Sequence, residues 1–351
     1  MKTIRLGLIG CGNMMEAHAS NINQVEGIEI TVVCDIIPER AQKVAEALGN
    51  SPIITTDYQS MVHDIDAVLV ALPHDLHYEC GMFFARHKKH ILMEKPLCNT
   101  EEECVELIRV CEEEDVTLMC GYPVPFMSDI VKLKELVDSG EFGKIIQMSI
   151  WTEQWTQGAN EWHWGNTARL GGGQFFSHGC HYVDLLMRFL GNPVEGSHFG
   201  TRVGTPWLRR EGTSVAIFKF ENGALGYHGA TWGAHGTKMG YDFQIMTEKG
   251  LLDYDKKTGE IRYYSSEELH IPGEEASSAG RKYKVLHRHE GKASKETHRE
   301  ISHFIDCVNH HKRPLTDGRA ALQSLRIIWR MYDAEKNGTI ADLRGLGLDN
   351  A

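Results

Sequence analysis

The sequence predicts an α/β protein in two parts: a parallel sheet covered by helices on both faces, then a mostly antiparallel sheet with few helices. Three observations predict it. Apolar runs alternate with helical patterns up to Tyr122, as in chained strand–helix–strand units whose strands are buried on both faces. Beyond Tyr122 the pattern changes to longer strand-like segments. Among these, "FENGALGYHGATW" (220–232) places an Asn-Gly turn between alternating runs, a hairpin signal.

The elements follow in order. "IRLGLIG" (4–10) is a strand and "MMEAHASNINQV" (14–25) a helix. "IEITVVCD" (28–35) is the second strand. "PERAQKVAEALG" (38–49) is a helix with proline in its first turn and glycine at its end. "DAVLVALP" (66–73), "KHILMEKP" (89–96) and "VTLMCGY" (116–122) are strands. They are separated by helices at 77–87 and at 100–115, the latter capped by Thr100. "PVPF" (123–126) reads as a hinge and 128–140 as a helix. Strand-like segments span 144–153, 213–220, 224–232 and 241–254. The polar stretch 265–298 reads as a surface excursion, and helices close the chain at 295–311 and 317–338.

A length of 351 residues suits two domains, set here at 1–122 and 123–351, an arrangement that lets the last helices pack back on the first domain. The net charge of −11 argues against nucleic acid or an anionic membrane as partner, since both select basic surfaces. A small ligand remains open. No apolar run approaches the ~20 residues that span a bilayer, and the N-terminus does not read as a signal peptide. Nine cysteines without a C-x-x-C pair read as reduced thiols, hence a cytoplasmic protein without a disulfide frame. No spacing of ligand residues suggests a metal.

The chemistry concentrates at strand ends. In "GLIGCGNMMEAHA" (7–19), Gly10 permits a tight turn and Gly12 lets a pyrophosphate approach the helix that begins at Asn13 and Met14. The third small position is Met15, a departure from the dinucleotide fingerprint. Asp35 ends the second strand, where an acid accepts from an adenosine ribose hydroxyl. Its carboxylate would repel a 2′-phosphate, so NAD is expected in preference to NADP. Leu72 and Pro73 end the third strand on the nicotinamide side of the cleft. His77 reads either as a cofactor contact or as a loop histidine, and His74 as a solvated cap. "MEKP" (93–96) ends the next strand at the same edge. There Lys95 can hold a substrate hydroxyl beside the nicotinamide, and Glu94 can fix the lysine or a ribose.

In "LGGGQFFSHGCHYVDLL" (170–186), Ser177, His181 and Asp184 share one face if the segment is a single helix, and Asp184 could orient a catalytic His181. His178 and Cys180 lie off that face. Trp155 and Trp162, in "WTEQWTQGANEWHWGN" (151–166), offer aromatic planes to a sugar or else pack structurally. The histidines at 287, 289, 310 and 311 are expected at the surface.

Together these motifs, with the late "HFIDCVNHHKRPLTDGRAALQSLRII", resemble the Gfo/Idh/MocA oxidoreductases over nearly the whole chain. The resemblance implies a Rossmann domain plus a C-terminal α/β domain with a large open, mostly antiparallel sheet. That sheet is commonly an oligomer interface, so a homodimer or homotetramer is expected. It also implies NAD(P)-dependent oxidation or reduction of a carbohydrate or cyclitol. Lys95 matches the family lysine that polarises the reacting alcohol, within a Lys–Pro bond that is often cis. His181 matches the acid/base histidine. Three positions depart from the family pattern: Ser177 for an aspartate, Pro125 for an arginine, and Lys88 for a helix-ending glycine. Three functions compete: a freely turning-over dehydrogenase, NAD-assisted glycoside elimination with the cofactor recycled internally, and a ligand sensor.

Overall fold

A computed structural model describes residues 2–156, 167–265, 283–290 and 296–351. The first part runs β1 (Ile4–Ile9), α1 (Asn13–Ile22), β2 (Ile28–Cys34), α2 (Pro38–Leu48), β3 (Ile53–Thr55), β4 (Ala67–Val70), α3 (His77–Arg86), β5 (His90–Glu94), α4 (Glu101–Glu113) and β6 (Leu118–Gly121). Its six strands form a parallel sheet in the order β3-β2-β1-β4-β5-β6, with the order reversing about β1, as in a Rossmann fold. Alternate residues face opposite layers, which is why the strands read as unbroken apolar runs. Leu6, Leu8, Leu69 and Leu92 pack towards α1. Ile9, Val68, Val70 and Met93 pack towards α3 and α4 with Phe84 and Leu107.

Local chemistry explains the helix ends. Pro38 begins α2, and Gly49 stops it at φ 70°. A reciprocal capping box joins Thr100 and Glu103 at the start of α4.

The second part continues with α5 (Ser128–Asp138), β7 (Ile145–Glu153), α6 (Thr167–Leu170), α7 (Gln174–Ser177), α8 (Cys180–Leu190), β8 (Pro193–Thr201), β9 (Thr213–Phe220), β10 (Leu225–Thr231), β11 (Tyr241–Thr247), β12 (Gly250–Asp255), β13 (Glu260–Tyr264), β14 (Lys284–Arg288), α9 (Thr297–His310), α10 (Gly318–Asn337) and β15 (Ala341–Asp342). Nine strands make one open sheet in the order β14-β13-β12-β11-β7-β10-β9-β8-β15, antiparallel except for the β7–β10 pair. Its inner face is covered by α8 and α10, with Ala216, Phe218 and Phe220 of β9 buried in alternation. The hydrophobic core runs without a break from α3 and α4 into this layer. Of the closing helices, α9 lies on α1 and α10 on α4.

Five strands escaped the sequence pattern. β3 has three residues and β15 two, and β8 (PVEGSHFGT) lacks apolar alternation. β13 and β14 are short, and β14 lies in the stretch read as a surface excursion, most of which falls outside the described residues. The single segment 241–254 is two strands, β11 and β12, joined by a turn. The single helix read over Ser177, His181 and Asp184 is two helices, broken at His178 and Gly179. A Cβ on Gly179 would meet the Phe175 carbonyl oxygen at 2.4 Å, so the chain turns where only glycine fits.

Candidate active site

The carboxyl ends of β1, β2, β4 and β5 open into a cleft of about 810 Å³ that continues under α7 and α8 of the second part. Gly10, at φ 82°, approaches so closely that a Cβ would sit 2.5 Å from the Ala71 carbonyl oxygen. Gly12 faces open space, and no side chain caps α1. Asn13 and Met14 line the cleft beside it. A pyrophosphate fits this combination of open glycine and uncapped helix start.

Asp35 carries more structure than its position in sequence suggests. Its Oδ2 accepts from the Cys11 N–H at 2.7 Å and its Oδ1 from the Ile37 N–H at 2.8 Å. The same carboxylate lines the cleft, so it ties the glycine loop to the end of β2 where an adenosine ribose would lie. Leu72 and Pro73 line the cleft at the end of β4.

Lys95 follows β5 and its bond to Pro96 is cis. Its Nζ donates to the Ser177 carbonyl oxygen at 3.0 Å, so the lysine of the first part is held by α7 of the second. Glu94 is buried. Its Oε1 lies 2.8 Å from His18 Nε2, and its Oε2 accepts from the Lys95 N–H at 3.1 Å. Burial alone would push this carboxyl up. The His18 hydrogen bond and the charges of His18 and Lys95 outweigh it and hold the group below the usual carboxylate range.

His181 lines the cleft with Ser177, and its ring stands edge-on to Tyr122 at 5.4 Å. Asp184 does not orient it. The Asp184 carboxylate is fully buried and forked onto Arg188, at 2.6 Å to Nε and 2.9 Å to Nη2. The break after α7 separates Ser177 from that face, while Asp184, three residues after His181 on α8, spends both oxygens on Arg188 one turn further on.

Other expectations also change. His77 is wholly buried and does not line the cleft. Its Nδ1 lies 2.8 Å from the Pro96 oxygen and its Nε2 2.9 Å from the Leu72 oxygen. It therefore clamps the two loops that do line it. Burial pushes its pKa down, so the neutral ring donates to one carbonyl at a time. His74, expected in solvent, is buried in the cleft wall, with Nδ1 3.0 Å from the Leu170 oxygen. Trp155 is 51% exposed, packs at a tilt against His235 and lies off the cleft, whereas Gln154 and Trp232 line it. Trp162 lies outside the described residues. His287 and His289 are half-buried rather than free at the surface: both reach Oδ1 of the buried Asp129 at 3.0 Å. All nine cysteines are buried and free. Among the described residues no cluster could hold a metal, and no helix is long and apolar enough to cross a membrane.

Residue-by-residue reading missed several lining groups: Arg169, His178, Tyr182, Tyr241 and Lys256. A single helix would turn His178 off the shared face; the break turns it in. Tyr241 and Lys256 reach the cleft only through sheet pairing, with the Lys256 ammonium 4.8 Å from the Tyr241 ring centre.

Comparison with known proteins agrees with this fold. A family model described as an oxidoreductase family with an NAD-binding Rossmann fold matches residues 4–122, and one described as the GFO/IDH/MocA C-terminal domain matches residues 130–253. The scyllo-inositol 2-dehydrogenase (NAD(+)) of Bacillus subtilis is 24% identical over 344 residues, 95% of each chain. The 2,7-anhydro-N-acetylneuraminate hydratase of Escherichia coli is 28% identical over 192 residues, 55% of this chain and only 51% of that one. A levoglucosan dehydrogenase solved with NADH and L-sorbose superposes with a TM-score of 0.85 over 98% of this chain and 99% of its own, at 19% identity, and so speaks to the fold.

Proposed function

The chain belongs to the GFO/IDH/MocA oxidoreductases and its first part is their NAD-binding Rossmann domain, and on that premise we propose that it oxidises a hydroxyl carbon of a small carbohydrate or cyclitol. The observation that carries this reading is the meeting of Lys95 with α7. The lysine at the end of the cofactor sheet is held against the segment that brings His181 into the same cleft. NAD, when bound, supplies the hydride acceptor. Gly10, Gly12, Asn13 and Met14 would hold its pyrophosphate, Asp35 its adenosine ribose, and Leu72, Pro73 and Glu94 its nicotinamide half.

The chain's own residues do the rest. The Lys95 ammonium donates to the reacting hydroxyl oxygen and stabilises the charge that grows there. His181 takes the hydroxyl proton, a contribution of about 10²–10⁴-fold for a positioned base. Glu94, kept ionised by His18, holds the Lys95 backbone. Ser177 presents a neutral hydroxyl where the family resemblance implies a carboxylate, so it can steady a substrate hydroxyl but adds no charge to the proton path.

That substitution supports a second reading. A relative matched over about half its length is named a hydratase, and a cleft without the extra carboxylate suits a redox step that starts and ends on one substrate with the cofactor retained. The test is NADH absorbance at 340 nm with NAD+ and a panel of sugars, inositols and glycosides. Accumulating NADH supports the dehydrogenase. Glycoside cleavage or hydration without NADH release supports the second reading.

We also assign the outer face of the nine-stranded sheet as a homo-oligomer interface, in a dimer or tetramer. Phe199, Val215, Ile217, Leu225, Ile146 and Met246 are exposed on its strands β7 to β11, and apolar side chains gathered on one sheet suit an interaction surface.

A further inference from the structure

The carbonyl that holds Lys95 belongs to α7, a helix of four residues and too short to persist alone. Its opening N–H groups, which no turn of helix can satisfy, end on two residues from distant parts of the chain. The Gly173 and Phe176 N–H groups donate to the Tyr332 hydroxyl at 3.3 and 3.2 Å. The Phe175 N–H donates to Glu211 Oε1 at 3.3 Å, and the Gln174 N–H to the Glu211 backbone oxygen at 2.8 Å. The Tyr332 hydroxyl donates in turn to Glu211 Oε1. Arg210 covers the Tyr332 ring at 4.5 Å and approaches Glu211 Oε2 at 3.7 Å. A Cβ on Gly173 would lie 2.2 Å from the Glu211 carboxyl carbon, so the third glycine of "LGGGQ" is the space that this carboxylate needs. Neither Glu211 nor Tyr332 lines the cleft.

We propose that Glu211 and Tyr332 are positioning residues for Lys95: together they fix α7, and through the Ser177 carbonyl they fix the lysine ammonium. The inference rests on the reading of Lys95 as the group that meets the reacting hydroxyl. Its physical basis is the cost of misplacement, about 10²-fold in rate for roughly 1 Å.

The first test needs no substrate. Wild type, Tyr332→Phe, Glu211→Leu and Glu211→Gln are treated with cyanate, and carbamylation of Lys95 is followed by peptide mass spectrometry against the exposed Lys249. Releasing Lys95 from its acceptor should raise its relative rate about fivefold in Tyr332→Phe and Glu211→Leu, the value of one hydrogen bond. Glu211→Gln keeps an acceptor oxygen and should fall between wild type and Glu211→Leu. With a turned-over substrate, kcat should fall about tenfold in the two disruptive variants while the NADH dissociation constant stays unchanged. An unchanged Lys95 rate in folded Tyr332→Phe, which loses a single oxygen and decides the matter if Glu211→Leu does not fold, overturns the proposal. A Lys95→Met variant with wild-type turnover would instead remove the catalytic reading of Lys95, and the labelling rates would still judge the positioning.

Discussion

Asp35 shows how one residue serves fold and site together. Its two oxygens hold the Cys11 and Ile37 N–H groups and its edge faces the cleft. Asp35→Ala should weaken NAD binding about ten- to a hundredfold, the range for a lost hydrogen bond to a charged acceptor. Titration of protein fluorescence with NADH measures it, and an unchanged dissociation constant would remove the assigned role. His228 gives a pH prediction. It is buried on β10, with Nε2 3.0 Å from Thr152 Oγ1, and its ring stacks on Tyr182. Burial first, and then the nearby His198, depress its pKa to about 3. The folded ring stays neutral while the unfolded one protonates near its ordinary value of about 6.5. Stability from this group is therefore complete above that value and is lost as pH falls through it. Between pH 8 and 5 the loss is about 2 kcal/mol. Urea midpoints at the two pH values should differ less in His228→Gln than in wild type; an equal difference would contradict the assignment.

At the scale of elements, the sequence was legible wherever local chemistry sets the boundary. α2 lies between its proline and its glycine, and α4 begins at its Thr100 capping box. The turn after α3 is legible as well. Lys88 stands where the family resemblance implies a helix-ending glycine, and it adopts φ 57°, the left-handed region. That conformation costs a side-chain-bearing residue about 1 kcal/mol. Lys88→Gly should therefore raise the melting temperature by about 2 °C, partly offset by the exposed Lys88–Glu114 pair at 3.4 Å. A lower melting temperature would mean that this pair, or the entropy of the added glycine, dominates. What could not be read was set by distant partners. The break between α7 and α8 keeps helical spacing in sequence and so hides the separation of Ser177 from His181, and spacing alone does not show that Asp184, on the same helix as His181, pairs with Arg188 one turn on. Glu211 and Tyr332 stand 121 residues apart, and nothing in either neighbourhood announces that they meet under the glycine loop.

For the whole molecule, the two sheets divide the work. The parallel sheet gathers the cofactor loops at one edge, and the open sheet supplies α7 and α8 from its inner side and an apolar face on its outer side. The first was readable because glycines, Asp35 and Lys95 all sit at strand ends. The second was readable as a mostly antiparallel sheet, but not in its full width. Ile217, half exposed on β9, tests the assembly. Ile217→Glu should shift the mass measured by light scattering from a dimer or tetramer to a smaller species, and an unchanged mass would move the interface elsewhere. The central claim is that Lys95 meets the reacting hydroxyl at the nicotinamide edge. The most direct measurement is NADH formation at 340 nm by wild type and by Lys95→Met, with whichever sugar or cyclitol the wild type oxidises. The account predicts a fall in kcat of about 10²-fold or more for the loss of a group that stabilises the reacting oxygen, with NADH binding unchanged; a Lys95→Met enzyme that turns over at the wild-type rate would contradict it.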